Sequence, residues 1–128
     1  PISWHRNNPY TEIAQQLHNL ETNYQIIRTT NDLRPLYLYF SLEGLITISE
    51  LQANPFAREQ KEYQLGKYEF NRQSCNFGDL KPGDLVIGET RCKTEYSDKN
   101  LQVVSTITYP DGLPVYDLLT LPLPSNHD

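Results

Sequence analysis

Apolar and polar residues alternate along the second half of the chain in three runs, at residues 85–96, 101–109 and 113–121, and this pattern predicts three consecutive antiparallel strands. Ser97-Asp98-Lys99-Asn100 and Pro110-Asp111-Gly112 separate the runs, and both are turn compositions. These turns set a register in which Tyr96 faces Leu101 and Tyr109 faces Leu113. Val86, Thr90, Cys92 and Thr94 then share a face with Leu101, Val103, Ser105, Ile107, Leu113, Val115, Asp117 and Leu119. On that face Cys92, Ser105 and Asp117 form one polar row, and a carboxylate between Val115 and Leu119 is paired, or functional, or a sign that the strands take another register.

Asn8 reads as an N-cap and Pro9 as the first helical residue; Tyr10, Ile13, Ala14, Leu17 and Leu20 follow at helical spacing, predicting one amphipathic helix over about residues 9–21. Residues 24–30 are rich in β-branched side chains and read as a strand that Asn31-Asp32 and Pro35 end. The apolar runs 36–42 and 45–51 flank Glu43-Gly44 and predict a tight hairpin. Both faces of that hairpin are apolar, so it should be covered by the helix on one side and by the sheet interior on the other. Residues 52–61, apart from Phe56, read as an exposed connection. A second hairpin is expected at 63–65 and 68–75 around Gly66-Lys67, and a type II turn at Lys81-Pro82-Gly83-Asp84. Residues 1–8 are an irregular lead-in and 122–128, with two prolines, a flexible tail. No repeat or linker divides the 128 residues, so a single domain, 1–128, is expected.

One helix followed by short strands implies an α+β fold, predominantly antiparallel β, with a strongly curved sheet or small barrel of about 6–8 strands and the N-terminal helix packed against it. A helix on a curved open sheet, resembling cystatin-like folds, is the rival architecture. Either would enclose a concave interior fit for a small molecule.

Charge narrows the partners. Sixteen acids against eleven bases give a net charge of −5 with no basic stripe, which disfavours a nucleic-acid backbone as partner, and none is expected. No apolar stretch reaches the roughly 20 residues that span a bilayer, and no membrane insertion is expected. A start without Met fits removal of an initiator Met or excision from a longer precursor. Two cysteines and no Asn-x-Ser/Thr sequon point to a cytoplasmic protein, with a cleaved signal peptide as the alternative.

Asp117 is the candidate catalytic acid or base, and Cys92, Ser105, Asp117, Tyr109 and Tyr96 are the candidate ligand-binding set. Cys75 falls only diagonal to Cys92, about 7–8 Å off, which speaks against a disulfide. Without a histidine nearby, Cys92 also lacks the base that activates a thiol. His5, His18 and His127 share no spacing that makes a metal site, and no phosphate loop or nucleophile elbow is present, so no metal and no cofactor are expected. Nine tyrosines, among them Tyr37, Tyr39, Tyr68, Tyr96, Tyr109 and Tyr116 on the predicted strands, could line a pocket mouth, and Trp4 could anchor a contact. The Pro1-Ile2 start is similar to that of the tautomerases, whose free prolyl amine acts as acid or base. The likeness ends after two residues, because those enzymes continue into a strand where this chain has Trp4-His5-Arg6-Asn7-Asn8-Pro9. Three functions follow as expectations: a non-enzymatic protein binding a small, partly apolar molecule or serving as an accessory factor; an isomerase, lyase or hydrolase using Asp117; and a protein-interaction module, in the simplest case a homodimer formed through a strand edge.

Overall fold

The period-3.6 pattern after Pro9 produces the first element. A computed structural model describes residues 9–30, 36–53, 62–71, 75 and 80–122, with Tyr96 and Asp98 described by their backbone alone. The lead-in with Trp4 and the Asn8 cap, the turn at 31–35, most of the 52–61 connection with Phe56, and all but Pro122 of the 122–128 tail lie outside the described residues. Helix α1 spans Pro9–Leu20 and buries Ile13, Ala14 and Leu17. Strand β1 (Ile27–Thr29), helices α2 (Leu36–Leu42) and α3 (Ile48–Ala53), and strands β2 (Glu62–Leu65), β3 (Tyr68–Asn71) and β4 (Leu85–Glu89) follow. A helical segment containing α4 (Lys93–Tyr96) leads into β5 (Gln102–Thr108) and β6 (Pro114–Thr120).

The strands form one open six-stranded sheet in the order β2-β3-β1-β4-β6-β5. It is mixed: β1 runs parallel to both β3 and β4, and the other pairings are antiparallel. The fold is therefore α+β as expected, but the sheet is neither predominantly antiparallel nor closed into a barrel. One face carries the main core, where Ile27, Tyr68, Phe70, Leu85, Ile87 and Leu118 pack with Ile13 and Leu17 of α1 and Phe40 of α2. On the other face, Val86, Leu119 and Cys92 make a second, smaller cluster.

Residues 36–51 overturn the predicted hairpin. A seven-residue apolar run fits period 2 and a buried helix equally well, and here the helix wins. Leu36 and Phe40, one turn apart, go into the core, whereas Leu38 and Leu42 stay exposed at 47% and 84%. Gly44, read as a hairpin residue, instead ends α2 with φ +77. The Leu45 amide donates to the Phe40 carbonyl at 2.9 Å and the Gly44 amide to the Ser41 carbonyl at 3.0 Å, the paired bonds of a Schellman stop. Three residues later Thr47 and Glu50 form a capping box at the start of α3: the Glu50 amide donates to Thr47 Oγ1 at 3.1 Å and the Thr47 amide to Glu50 Oε1 at 2.8 Å. Strands that run parallel need a long crossover, and α2, α3 and the outer strand β2 together supply it between β1 and β3.

The hairpin around Gly66-Lys67 forms, with Leu65 paired to Tyr68, but its second strand spans Tyr68–Asn71 and Cys75, expected at its end, stands in a turn. Gly66 has φ +61, and a Cβ at this position would stand 2.0 Å from Glu50 Oε2. Gly66→Ala should therefore cost about 1–3 kcal/mol, read from the urea midpoint; an unchanged midpoint would show that the turn relaxes freely. Nearby, Lys67 Nζ donates to the carbonyls of Glu21 at 2.6 Å and Tyr24 at 3.1 Å, closing the chain that leaves α1. The turn at 81–84 is likewise as read, with Gly83 at φ +91 and the Asp84 amide donating to the Lys81 carbonyl at 3.0 Å.

Candidate functional site

The residues of the predicted polar row are separated by two departures from regular strand. The strand expected over 85–96 stops at Glu89, and the chain turns helical through Lys99. This moves Tyr96 into α4 and Cys92 into the 3-10 turn Thr90–Cys92. Arg91, Lys93 and Glu95 alternate with smaller residues in a strand-like way, yet Thr90, Cys92 and Thr94 offer too little apolar surface to hold a long strand against the sheet. Cys92 is fully buried and joined to Cys75 in a disulfide with 5.4 Å between the Cα atoms, so it is not a free thiol. The diagonal separation expected for these cysteines belonged to a strand pairing that does not form.

The second departure is a slip inside the β5–β6 hairpin. The register expected from the Pro110-Asp111-Gly112 turn holds at both ends, where Gln102 faces Thr120, Val103 faces Leu119 and Thr108 faces Pro114. Between the irregularities at Val103/Ser105 and Ile107/Thr108 it shifts by one residue, so Ser105 faces Leu118 and Thr106 faces Asp117. Ser105 therefore lies on the face opposite to Asp117. Its hydroxyl donates to Gln16 Oε1 of α1 at 2.6 Å.

Asp117 is buried, as its position between Val115 and Leu119 implied, with only 6% exposure. Its Oδ1 accepts the Thr106 hydroxyl at 2.7 Å, and on the other side it faces Gly88 of β4. Of the candidate ligand set, the structure thus keeps Asp117 on the sheet, brings Thr106 to it, and takes Cys92 and Ser105 away. The side chain of Tyr96 lies outside the described residues. Tyr109 stands 46% exposed at the end of β5, where its amide donates to the Leu113 carbonyl at 2.8 Å. Other tyrosines assigned to a pocket mouth are core. Tyr68 and Tyr116 are buried, and Tyr10 packs against Tyr39 and Tyr116 with ring centroids 5.6 and 5.9 Å apart. Burial is the main reason both Tyr68 and Tyr116 hold their phenolic protons far above the ordinary tyrosine range, reinforced at Tyr68 by donation to Glu21 Oε2 at 2.5 Å and at Tyr116 by a hydrogen bond with Tyr10.

What the hairpin presents outward is the edge of the sheet. Among the described residues β5 pairs with β6 alone, so its far side ends the sheet. Val103 is 52% exposed, Val104 37%, and Leu113, beyond the turn, 61%. Thr106 and Thr108 are exposed between them. No Asp, Glu, Lys or Arg occurs between Lys99 and Asp111, which leaves the whole edge strand uncharged. The opposite edge differs. β2 is four residues long and bears Glu62, whose Oε1 accepts the Asn71 amide group at 2.6 Å. A short edge with a charge resists adding another strand, whereas a long uncharged one with β-branched side chains invites it. The uncharged stretch was visible in the sequence; which strand would sit at the edge was not, because that depends on β4 pairing with β6 rather than with β5.

Among the described residues no helix is long and apolar enough to cross a membrane. No family model matches the chain, and neither curated proteins nor solved structures include a significant match to it.

Proposed function

We propose that this chain is a protein-interaction module that engages its partner by strand addition at β5. The supporting observation is the seven-residue edge strand without a charge, which carries exposed Val103 and Val104, with exposed Leu113 beyond the turn. Backbone N–H and C=O groups supply the affinity in strand addition, and alternating side chains supply the selectivity. The small-ligand reading has less support, since the main face of the sheet is filled by side chains of α1 and α2. An enzymatic role for Asp117 rests on its burial alone, and the Thr106 hydroxyl already gives its carboxylate a structural partner. The Cys75–Cys92 bridge favours an oxidising compartment over the cytoplasm.

The test is a photoreactive residue placed at Thr108 and, separately, at Gln64 on the opposite edge, with illumination of the protein in its own source. A discrete adduct from position 108 that is missing from position 64 is the expected result. Equal labelling from the two edges, or none from 108, overturns the reading.

A further inference from the structure

We infer that the strand added at β5 is β5 of a second copy, paired antiparallel about a two-fold axis near Thr106. This rests on the edge-strand reading and names its partner. Charge is the first argument. Each copy carries −5, so two copies repel over most of their surface, and a self-interface is least costly where neither presents a charge. β5 meets that condition along its full length, Gln102–Thr108. A basic partner, the natural match for an acidic protein, would want carboxylates along the edge, and the strand offers none.

Geometry is the second argument. The stretch Ser105–Ile107 keeps a single unbroken register with β6 between the two irregularities, which gives a regular segment to pair. Centring the two-fold on Thr106 sets that residue opposite its own copy and Ser105 opposite Ile107, with Val104 and Thr108 flanking this segment at the two irregularities. Cross-strand threonine pairs are favourable sheet neighbours. An isologous pairing of this kind closes at two copies, because it consumes the edge it uses. The remaining edge, β2, is short and bears Glu62, which blocks further growth.

Native mass spectrometry and sedimentation over a range of concentrations should show a species of twice 14.9 kDa. The double variant Val104→Lys/Thr108→Lys, which brings lysines of the two copies together at both ends of the paired segment, should associate about tenfold or more weakly. Val104→Glu/Thr108→Glu should also be monomeric, and mixing the lysine and glutamate variants should restore a heterodimer. Hydrogen exchange on the unmodified chain provides a second measurement should the variants fold poorly: amides of β5 should slow as concentration rises. A chain that stays monomeric at every concentration, a dimer indifferent to the lysine substitutions, or concentration-independent exchange in β5 overturns self-pairing. If the chain is monomeric yet a Thr108 adduct with another protein forms in its source, self-pairing fails and the edge-strand reading survives. If no adduct forms either, both fail.

Discussion

Cys75→Ala combined with Cys92→Ala is expected to lower the unfolding free energy by about 3 kcal/mol, or the melting temperature by about 10 °C. The bridge closes a separation of 17 residues, which by chain entropy alone accounts for a penalty of that size in the unfolded state. Its folded-state role adds to this. Cys92 is fully buried beside Val86 and Leu119, and it holds the helical segment 90–99 against the second face of the sheet. Alanine is preferable to serine as the replacement, since a serine hydroxyl at position 92 would be buried among apolar side chains. Denaturant unfolding of the unmodified chain, with and without reductant, should reproduce the loss, and alkylation without reductant should find no free thiol in protein taken from its source. Two alkylated cysteines, or an unfolding midpoint that ignores reductant, would remove the bridge and with it the case for an oxidising compartment.

The parts legible in the sequence are those in which a local rule decides the structure. Helix α1 follows from Ile13, Ala14 and Leu17 at helical spacing, and the 81–84 turn from Pro82-Gly83. The β5–β6 hairpin follows from Pro110-Asp111-Gly112, which fixes the register at both ends. The slip in its middle is a different kind of fact. A bulge answers to packing on both faces at once, here to Ile107 entering the core and Thr106 reaching Asp117, and no window of sequence along β5 contains those partners. Residues 36–51 depart from the expected hairpin for another reason. Their apolar pattern is ambiguous, but the signals that resolve it lie in the chain: Gly44 two residues beyond the last residue of α2 and Thr47-Ile48-Ser49-Glu50 as a capping box. Those helices give the chain length for a crossover, and with the β2–β3 hairpin after them β3 lies parallel to β1. The candidate site inherits both kinds of error. Asp117 is buried as expected from its neighbours, whereas Cys92 and Ser105 depend on a strand end and a bulge that the local pattern does not encode.

Alkaline pH is expected to unfold the protein through Tyr68 and Tyr116. In the unfolded chain a tyrosine gives up its proton near pH 10. In the folded chain both rings are buried, at 1% and 7% exposure, and burial is the larger cause holding their protons on. Glu21 and Glu50 add to this at Tyr68, and Tyr10 and Glu89 at Tyr116. Below pH 10 the two states bind these protons equally, and the contribution does not vary with pH. Above it the unfolded chain releases protons that the folded chain retains, so stability falls by about 1.4 kcal/mol per pH unit for each tyrosine. By pH 12 the pair accounts for about 5 kcal/mol, comparable with the whole stability of many domains of this size. Denaturant unfolding between pH 9 and pH 12 should show this slope, and phenolate absorbance should show two of the nine tyrosines titrating only as the protein unfolds. Tyr68→Phe gives up the hydrogen bond to Glu21 and should be less stable at neutral pH, yet its decline above pH 10 should be shallower by about 1.4 kcal/mol per unit. Tyr116→Phe should flatten the decline by the same amount. Because a ring lost only from packing would shift the whole curve and leave its slope alone, an unaltered slope in either variant would mean that the tyrosine ionises within the fold.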